Sequence, residues 1–149
     1  MEFAIVGSLA LLVLLGAIEM SRLLFVMNTM SEVTRRGARM AAVCPINDPK
    51  IAQAAVFNNA GGANSPIISG LSTANIQLEY LNINGVPITT DLTDPAEFIT
   101  IRYVRVQIVN YQHQYVLPIP MGPMTMPPMP ATIPRESLGV PRNEPVQAC

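Results

Sequence analysis

Charged residues are scarce in this chain of 149 residues. Asp, Glu, Lys and Arg together make up only 13% of it, whereas 50% of the residues are hydrophobic. Globular proteins usually carry roughly a quarter charged residues, so we expect part of this chain to be buried in lipid or in other subunits. The net charge of -1 provides no basic surface for nucleic acid, and we expect no nucleic-acid partner.

Residues suited to catalysis are equally scarce. His113 is the only histidine, and no nucleophile elbow, phosphate-binding loop or paired metal motif accompanies it. His113 with Cys44 and Cys149 matches no zinc-ligand spacing, so we interpret His113 as a surface or cross-strand histidine. We therefore predict that the protein is not an enzyme and that it has no cofactor and no metal site.

Four methionines in a proline-rich segment are soft thioether ligands that could bind copper. They are Met121, Met124, Met126 and Met129. Methionine also fills irregular apolar gaps, and we favour that interpretation here.

The chain has two cysteines, Cys44 and Cys149. A disulfide between them would close a loop of about a hundred residues, which the chain-entropy model values at about 4 to 5 kcal/mol. Such a bond requires an oxidising compartment. Two unrelated thiols are the alternative, and the sequence leaves both possibilities open.

Proline is absent from residues 2–43, although the chain contains 14 prolines. This segment predicts one helix of about 60 Å. It should end at Pro45, which disfavours helical geometry at Cys44. We predict an α+β protein, with a long apolar helix in residues 1–44 and a globular domain in residues 45–149.

The predicted helix has two halves of different character. Residues 3–18 are uncharged but fall short of the roughly 20 residues that span a bilayer. A full span requires Glu19 and Arg22 to neutralise each other one turn apart. From Val26 onward, apolar residues recur every three or four positions, which indicates that this half packs on the C-terminal domain.

The C-terminal domain shows a short helix followed by strands. Asp48, Pro49 and Gly61 occupy the positions expected of a cap, a first helical residue and a residue just past a helix end. Asn84-Gly85 predicts a tight hairpin, and Pro87 confines its second strand to a sheet edge.

The longest strand pattern is "FITIRYVRVQIV", whose apolar phase changes as a β-bulge near Tyr103 would change it. The following "HQYVL" could continue the sheet. Residues 117–134 contain seven prolines, a density that neither a helix nor a central strand tolerates, which predicts an extended, locally polyproline-like loop. We expect a meander of three or four antiparallel strands packed on the long helix.

Several linked features occur together in the first 43 residues: Glu2-Phe3 at the start of the apolar run, Gly16 followed by Glu19 and Arg22, Leu23-Leu24-Phe25, Asn28, and Arg36-Gly37-Ala38-Arg39 before Ala41-Ala42-Val43. In this combination the segment resembles the N-terminal region of TadE-like pilins, which belong to the Tad (Flp) branch of type IV pili.

The resemblance implies a pilin-like fold and a prepilin cut by a dedicated peptidase. It further implies insertion in the bacterial inner membrane and extraction by the assembly machinery into a helical filament of identical or related subunits, which serves adhesion. Glu2 matches the acid that pairs with the terminal amine of a neighbouring subunit. Four arginines after the apolar run would by themselves keep the globular domain of residues 45–149, here called the body, in the cytoplasm. We expect a removed basic leader to reverse this orientation.

Six residues are the predicted assembly residues: Glu2, Phe3, Gly7, Gly16, Glu19 and Arg22. Small residues allow helices to approach closely in place of lipid. A buried ion pair at Glu2 would act mainly to set the register of neighbours, and Glu19 and Arg22 could re-pair between helices. The alternative is a membrane-anchored, extracytoplasmic secretion-accessory or binding module that never polymerises.

Overall fold

The computed structural model describes residues 2–58, 60–116, 122–140 and 149. The described residues form three α-helices, a short 3-10 helix at Thr73–Asn75 and five strands. In chain order the α-helices and strands are α1 Glu2–Val43, α2 Pro49–Ala55, β1 Ile76–Leu81, α3 Pro95–Phe98, β2 Tyr103–Ile108, β3 Gln112–His113, β4 Met124–Thr125 and β5 Ala131–Pro134. The predicted α+β class, with a long apolar N-terminal helix and a small antiparallel sheet, is confirmed.

Helix α1 is 42 residues long and has the predicted bounds. The carbonyls at its C-terminal end have hydrogen-bond partners, because residues 136–139 cross the helix end. The amides of Glu136 and Leu138 donate to the carbonyl of Ala42 at 3.1 Å, and the amide of Gly139 donates to the carbonyl of Val43 at 2.6 Å. The C-terminal segment thus supplies the donors that the end of a helix needs.

Helix α2 begins as predicted. The side chain of Asp48 accepts a hydrogen bond from the amide of Lys50 at 2.9 Å, and Pro49 is the first helical residue. The helix ends at Ala55, earlier than Gly61 indicated, because Phe57 adopts a positive φ of 63° that turns the chain. The Cζ atom of Arg36 lies over the ring of Phe57, 5.1 Å from the centroid of that ring.

The main sheet is antiparallel and has the strand order β1-β2-β5. Its register pairs Ile76 with Ile108 and Val104 with Ile133. Helix α1 packs against β2 and β5, and α2 packs beside it. On the other face of the sheet, Nε of Arg105 donates to the Glu79 carboxylate at 2.7 Å.

The predicted bulge near Tyr103 is wrong. Asp94 caps α3 by accepting from the amide of Ala96, so residues 95–98 are helical and the strand starts only at Tyr103. The change of apolar phase therefore marks the beginning of β2. Ile101 is buried ahead of the strand, whereas Ile99 is 62% exposed.

The predicted hairpin is only partly formed. Gly85 adopts the positive φ of 74° that the turn needs, and Asn82 Oδ1 accepts from the amides of Asn84 and Val86. The returning strand is reduced to a single bridge between Leu81 and Pro87. Pro87 has no N–H to donate to a longer ladder.

Two further strand predictions are wrong. The segment "HQYVL" does not extend the main sheet, because β3 pairs with β4 in a separate two-stranded sheet. The proline-rich stretch predicted as an extended loop contains β4 and β5, although neither is a central strand: β5 is an edge strand of the main sheet. A proline is tolerated there, since an edge strand needs fewer donors. Residues 117–121 lie outside the described residues.

Gly37 lies where α1 approaches both α2 and the sheet. A Cβ at this position would lie 3.0 Å from the Ala55 Cβ and 3.1 Å from a γ-carbon of Val106. On either side of this contact, Val33 and Ala38 are fully buried. The hydrophobic core therefore depends on the absence of a side chain at residue 37.

A disulfide joins Cys44 to Cys149, with a Cα–Cα distance of 5.6 Å and a sequence separation of 105. Cys44 lies directly after α1, so the bond fastens the last residue of the chain to the end of the helix.

We expect Gly37→Val to destabilise the body by about 1 to 3 kcal/mol, because the added methyl groups overpack the contact with Ala55 and Val106. Urea unfolding of the full chain in detergent measures this. Gly16→Val is the matched control, since a Cβ there meets nothing within 4 Å. Equal unfolding midpoints for the two variants would contradict the packing argument.

Reduction of the Cys44–Cys149 bond should lower the free energy of unfolding by about 2 to 5 kcal/mol, because the unfolded chain regains the freedom of a long loop. Thermal unfolding with and without reductant measures the loss. The double variant Cys44→Ser, Cys149→Ser should not respond to reductant. A wild-type melting temperature that reductant leaves unchanged would count against the bond.

The free energy of unfolding should also fall at alkaline pH, because the buried Tyr80 hydroxyl loses its proton. Burial raises the pKa of this hydroxyl above its ordinary value of 10.0, and the hydrogen bond from the Asn47 amide partly opposes the shift. The contribution of Tyr80 is therefore complete below pH 10 and is lost as the pH rises through the folded-state pKa. Tyr80→Phe should flatten this loss in alkaline unfolding experiments, and an unchanged profile would exclude Tyr80 as its source.

Candidate functional site

The first half of α1 is uncovered by any described part of the chain. Its large apolar side chains are mostly more than half exposed; Phe3, for example, is 91% exposed. The most apolar 18-residue window has a mean hydropathy of 2.3 and is only 6% buried. By length and composition, α1 is able to cross a membrane.

Four of the predicted assembly residues lie on this uncovered surface. Glu2 and Phe3 are exposed, and a Cβ added at Gly7 or Gly16 would meet nothing within 4 Å. Among the described residues, none forms an ion pair with Glu2. A single chain therefore leaves these four residues available to lipid or to another helix.

Glu19 and Arg22 are the other two predicted assembly residues. They lie where the uncovered half of α1 meets the body, here called the junction. An oxygen of the Glu19 carboxylate is 2.9 Å from a guanidinium nitrogen of Arg22, one helical turn away. Glu19 is buried, with 7% of its surface exposed, whereas the Arg22 side chain is 41% exposed. Both carboxylate oxygens also lie 3.4 Å from the amide nitrogen of Val116.

His113 completes this junction, and the sequence did not identify it as a functional residue. It is only 2% exposed and pairs across β3–β4 with Met124, so the surface alternative is wrong and the cross-strand alternative is confirmed. Its Nε2 lies 3.8 Å from the Glu19 carboxylate and has no hydrogen-bond partner among the described residues. The ring of Tyr115 contacts it edge-on, with centroids 5.6 Å apart.

A signal for the burial of His113 was present in the sequence. Gln112 and Gln114 are both exposed, while Tyr111 and His113 are buried. This alternation is typical of a strand with one face toward the core. It places His113 on the inner side, but it does not indicate that Glu19 lies opposite.

A depression of about 340 Å³ opens beside this junction and is lined in part by Arg22, Phe25, His113 and Tyr115. No group of three or more His, Cys, Asp or Glu side chains suited to a metal occurs within the described ranges.

The methionines of the proline-rich segment have different surroundings. Met126 is buried in the core beside Val26 and Ile108. Met124 is 39% exposed, and its sulfur accepts a hydrogen bond from the Tyr115 hydroxyl at 3.6 Å. Met129 is partly buried, and Met121 lies outside the described residues.

The family model described as TadE-like protein matches residues 1–39. Neither the curated proteins nor the solved structures include a significant match to the chain.

The matched segment contains the whole uncovered half of α1, the Glu19–Arg22 pair and the start of the half that packs on the body. Over residues 1–39 the resemblance to TadE-like proteins is therefore confirmed, and it associates this chain with the Tad pilus system.

Proposed function

We propose that this protein is a structural subunit, major or minor, of a Tad-type pilus. Helix α1 holds the subunit in the inner membrane before assembly and packs against neighbouring helices in the filament afterwards. The observation that carries the proposal is the uncovered apolar half of α1, of which the most apolar window is only 6% buried. Such a surface needs either lipid or other protein around it.

The exchange of lipid for neighbouring helices requires close packing. Lipid tails solvate leucine as well as another helix does, so association depends on contacts between small residues and on polar pairs. Gly7 and Gly16 leave open space on the helix surface, where a neighbouring backbone can approach. Glu2 is the exposed carboxylate at the helix start, and a pair with the terminal amine of a neighbour would set the stagger of the subunits.

The disulfide supports placing the body outside the cytoplasm. A bond between Cys44 and Cys149 persists in an oxidising compartment such as the periplasm or the cell surface. We therefore propose that the body is exported, that a prepilin peptidase and the pilus machinery act on the chain, and that the assembled filament serves surface attachment.

A non-polymerising accessory module is the second candidate, and one observation favours it. Glu19 and Arg22 neutralise each other within the chain at 2.9 Å, so α1 is also suited to staying permanently in lipid. Re-pairing of Glu19 with another subunit would require the junction with Val116 to open. In this case the protein anchors an extracytoplasmic body without joining a filament.

Replacement of Glu2 separates these candidates. In a filament subunit, Glu2→Ala should leave the folded body and the membrane level unchanged but abolish or sharply lower incorporation into filaments sheared from cells. Immunoblots of sheared and membrane fractions measure this. Glu32→Ala, at an exposed position on the covered half of α1, is the matched control and should assemble normally.

Normal filaments containing the Glu2→Ala subunit would refute the role of Glu2. Wild-type protein that is never sheared from cells and stays in the membrane fraction would favour the accessory module instead.

A further inference from the structure

We propose that His113 is a positioning residue, whose Nε2–H donates to the Glu19 carboxylate and fixes the level on α1 at which the body begins. The contact joins β3 to the last part of the apolar helix surface. It does not depend on whether the subunit polymerises.

The first observation is the surroundings of Nε2. This nitrogen is buried, has no hydrogen-bond partner among the described residues and lies 3.8 Å from a Glu19 oxygen. A buried polar atom without a partner is unfavourable, and a closure of less than about 1 Å would produce a normal hydrogen bond. The geometry therefore favours the tautomer with its proton on Nε2, directed at Glu19.

The second observation is that Glu19 has capacity for another donor. A carboxylate offers about four acceptor positions. Arg22 takes one at 2.9 Å, and the Val116 amide approaches only to 3.4 Å. Since Glu19 is buried, each additional donor reduces the cost of keeping its charge away from water.

Glu19 is the acceptor that lies against Nε2 of His113. Helix α1 contributes Glu19 and Arg22, and Arg22 is itself a donor. The segment of His113 contributes Tyr115, which contacts the imidazole edge-on, and β4 contributes the strand partner Met124.

The third observation is the size of the element that carries His113. Strands β3 and β4 have two residues each, and an isolated two-stranded ribbon is marginal even when it is longer. At one end of this ribbon, Tyr111 and Met126 are buried in the same core cluster as Val26 of α1. At the other end Gln114 is exposed, and a bond from His113 to Glu19 would fasten this end of the small sheet to the helix.

The contact has a consequence that rests on the proposed function. If Glu19 is occupied within its own subunit, Glu2 is the carboxylate of the uncovered half that stays available to a neighbouring subunit. Glu2 and Glu19 then have separate roles, one between subunits and one within a subunit.

Hydrogen exchange of the Val116 amide tests the proposal, because this amide donates to Glu19. The full chain is measured by NMR in detergent micelles. His113→Leu should raise the exchange rate at Val116 about tenfold or more, whereas His113→Gln, which keeps a donor near the Nε2 position, should retain most of the protection. Gln114→Leu, at an exposed neighbour, is the matched control and should change nothing.

The effect should be local to the junction. The amide of Val106 in β2 serves as the internal reference and should exchange equally in all variants. In a Glu19→Gln background, His113→Leu should add less to Val116 exchange than it does in the wild type, since the two residues act on the same bond. The proposal would be overturned if the Val116 exchange rate were unchanged in His113→Leu. It would also be overturned if His113→Leu and His113→Gln raised that rate equally.

A measurement on the unmutated imidazole covers the case in which His113→Leu does not fold. The ¹⁵N chemical shift of His113 in the wild type should show a protonated Nε2, and Glu19→Gln should move that signal. A wild-type Nε2 without a proton would exclude the hydrogen bond to Glu19. These experiments use unassembled subunits, so their failure is distinct from a failure of Glu2→Ala to affect filaments.

Discussion

The pairing of Glu19 is the constraint on which the arrangement of this protein depends. A buried carboxylate is costly unless it is paired, and Glu19 is 7% exposed on an otherwise apolar stretch of helix. Arg22 supplies the opposite charge, and Val116 and His113 lie against the Glu19 carboxylate. On the N-terminal side of Glu19 the helix is bare, whereas on the C-terminal side one helix face, from Val26 onward, is buried against the body.

Two further fastenings hold the covered half of α1. Gly37 allows the helix to approach α2 and the sheet within van der Waals contact. At the helix end, residues 136–139 and the disulfide of Cys44 bind the chain terminus to the last turn. Together with the Glu19 junction, these contacts hold the body along one half of a 42-residue helix. The other half is left to lipid or to neighbouring helices.

Much of the local structure could be predicted because it depends on local rules. The absence of proline predicted the extent of α1, and Asp48-Pro49 predicted the start of α2. The strand predictions failed where pairing partners lie far apart in the sequence. A proline-rich segment became an edge strand because β2 offered it a free edge, and no local pattern encodes the presence of that edge.

The sequence by itself determined that one helix would have an apolar half and an amphipathic half, since helix periodicity and the position of Pro45 are properties of neighbouring residues. Only the tertiary structure decided that His113 and Val116 would lie against Glu19. His113 and Val116 are more than 90 positions away from Glu19 in the sequence, and their proximity to it depends on how β3 and β4 pack on α1. A charge pattern predicts that Glu19 needs partners, but the packing of the whole chain selects which residues they are.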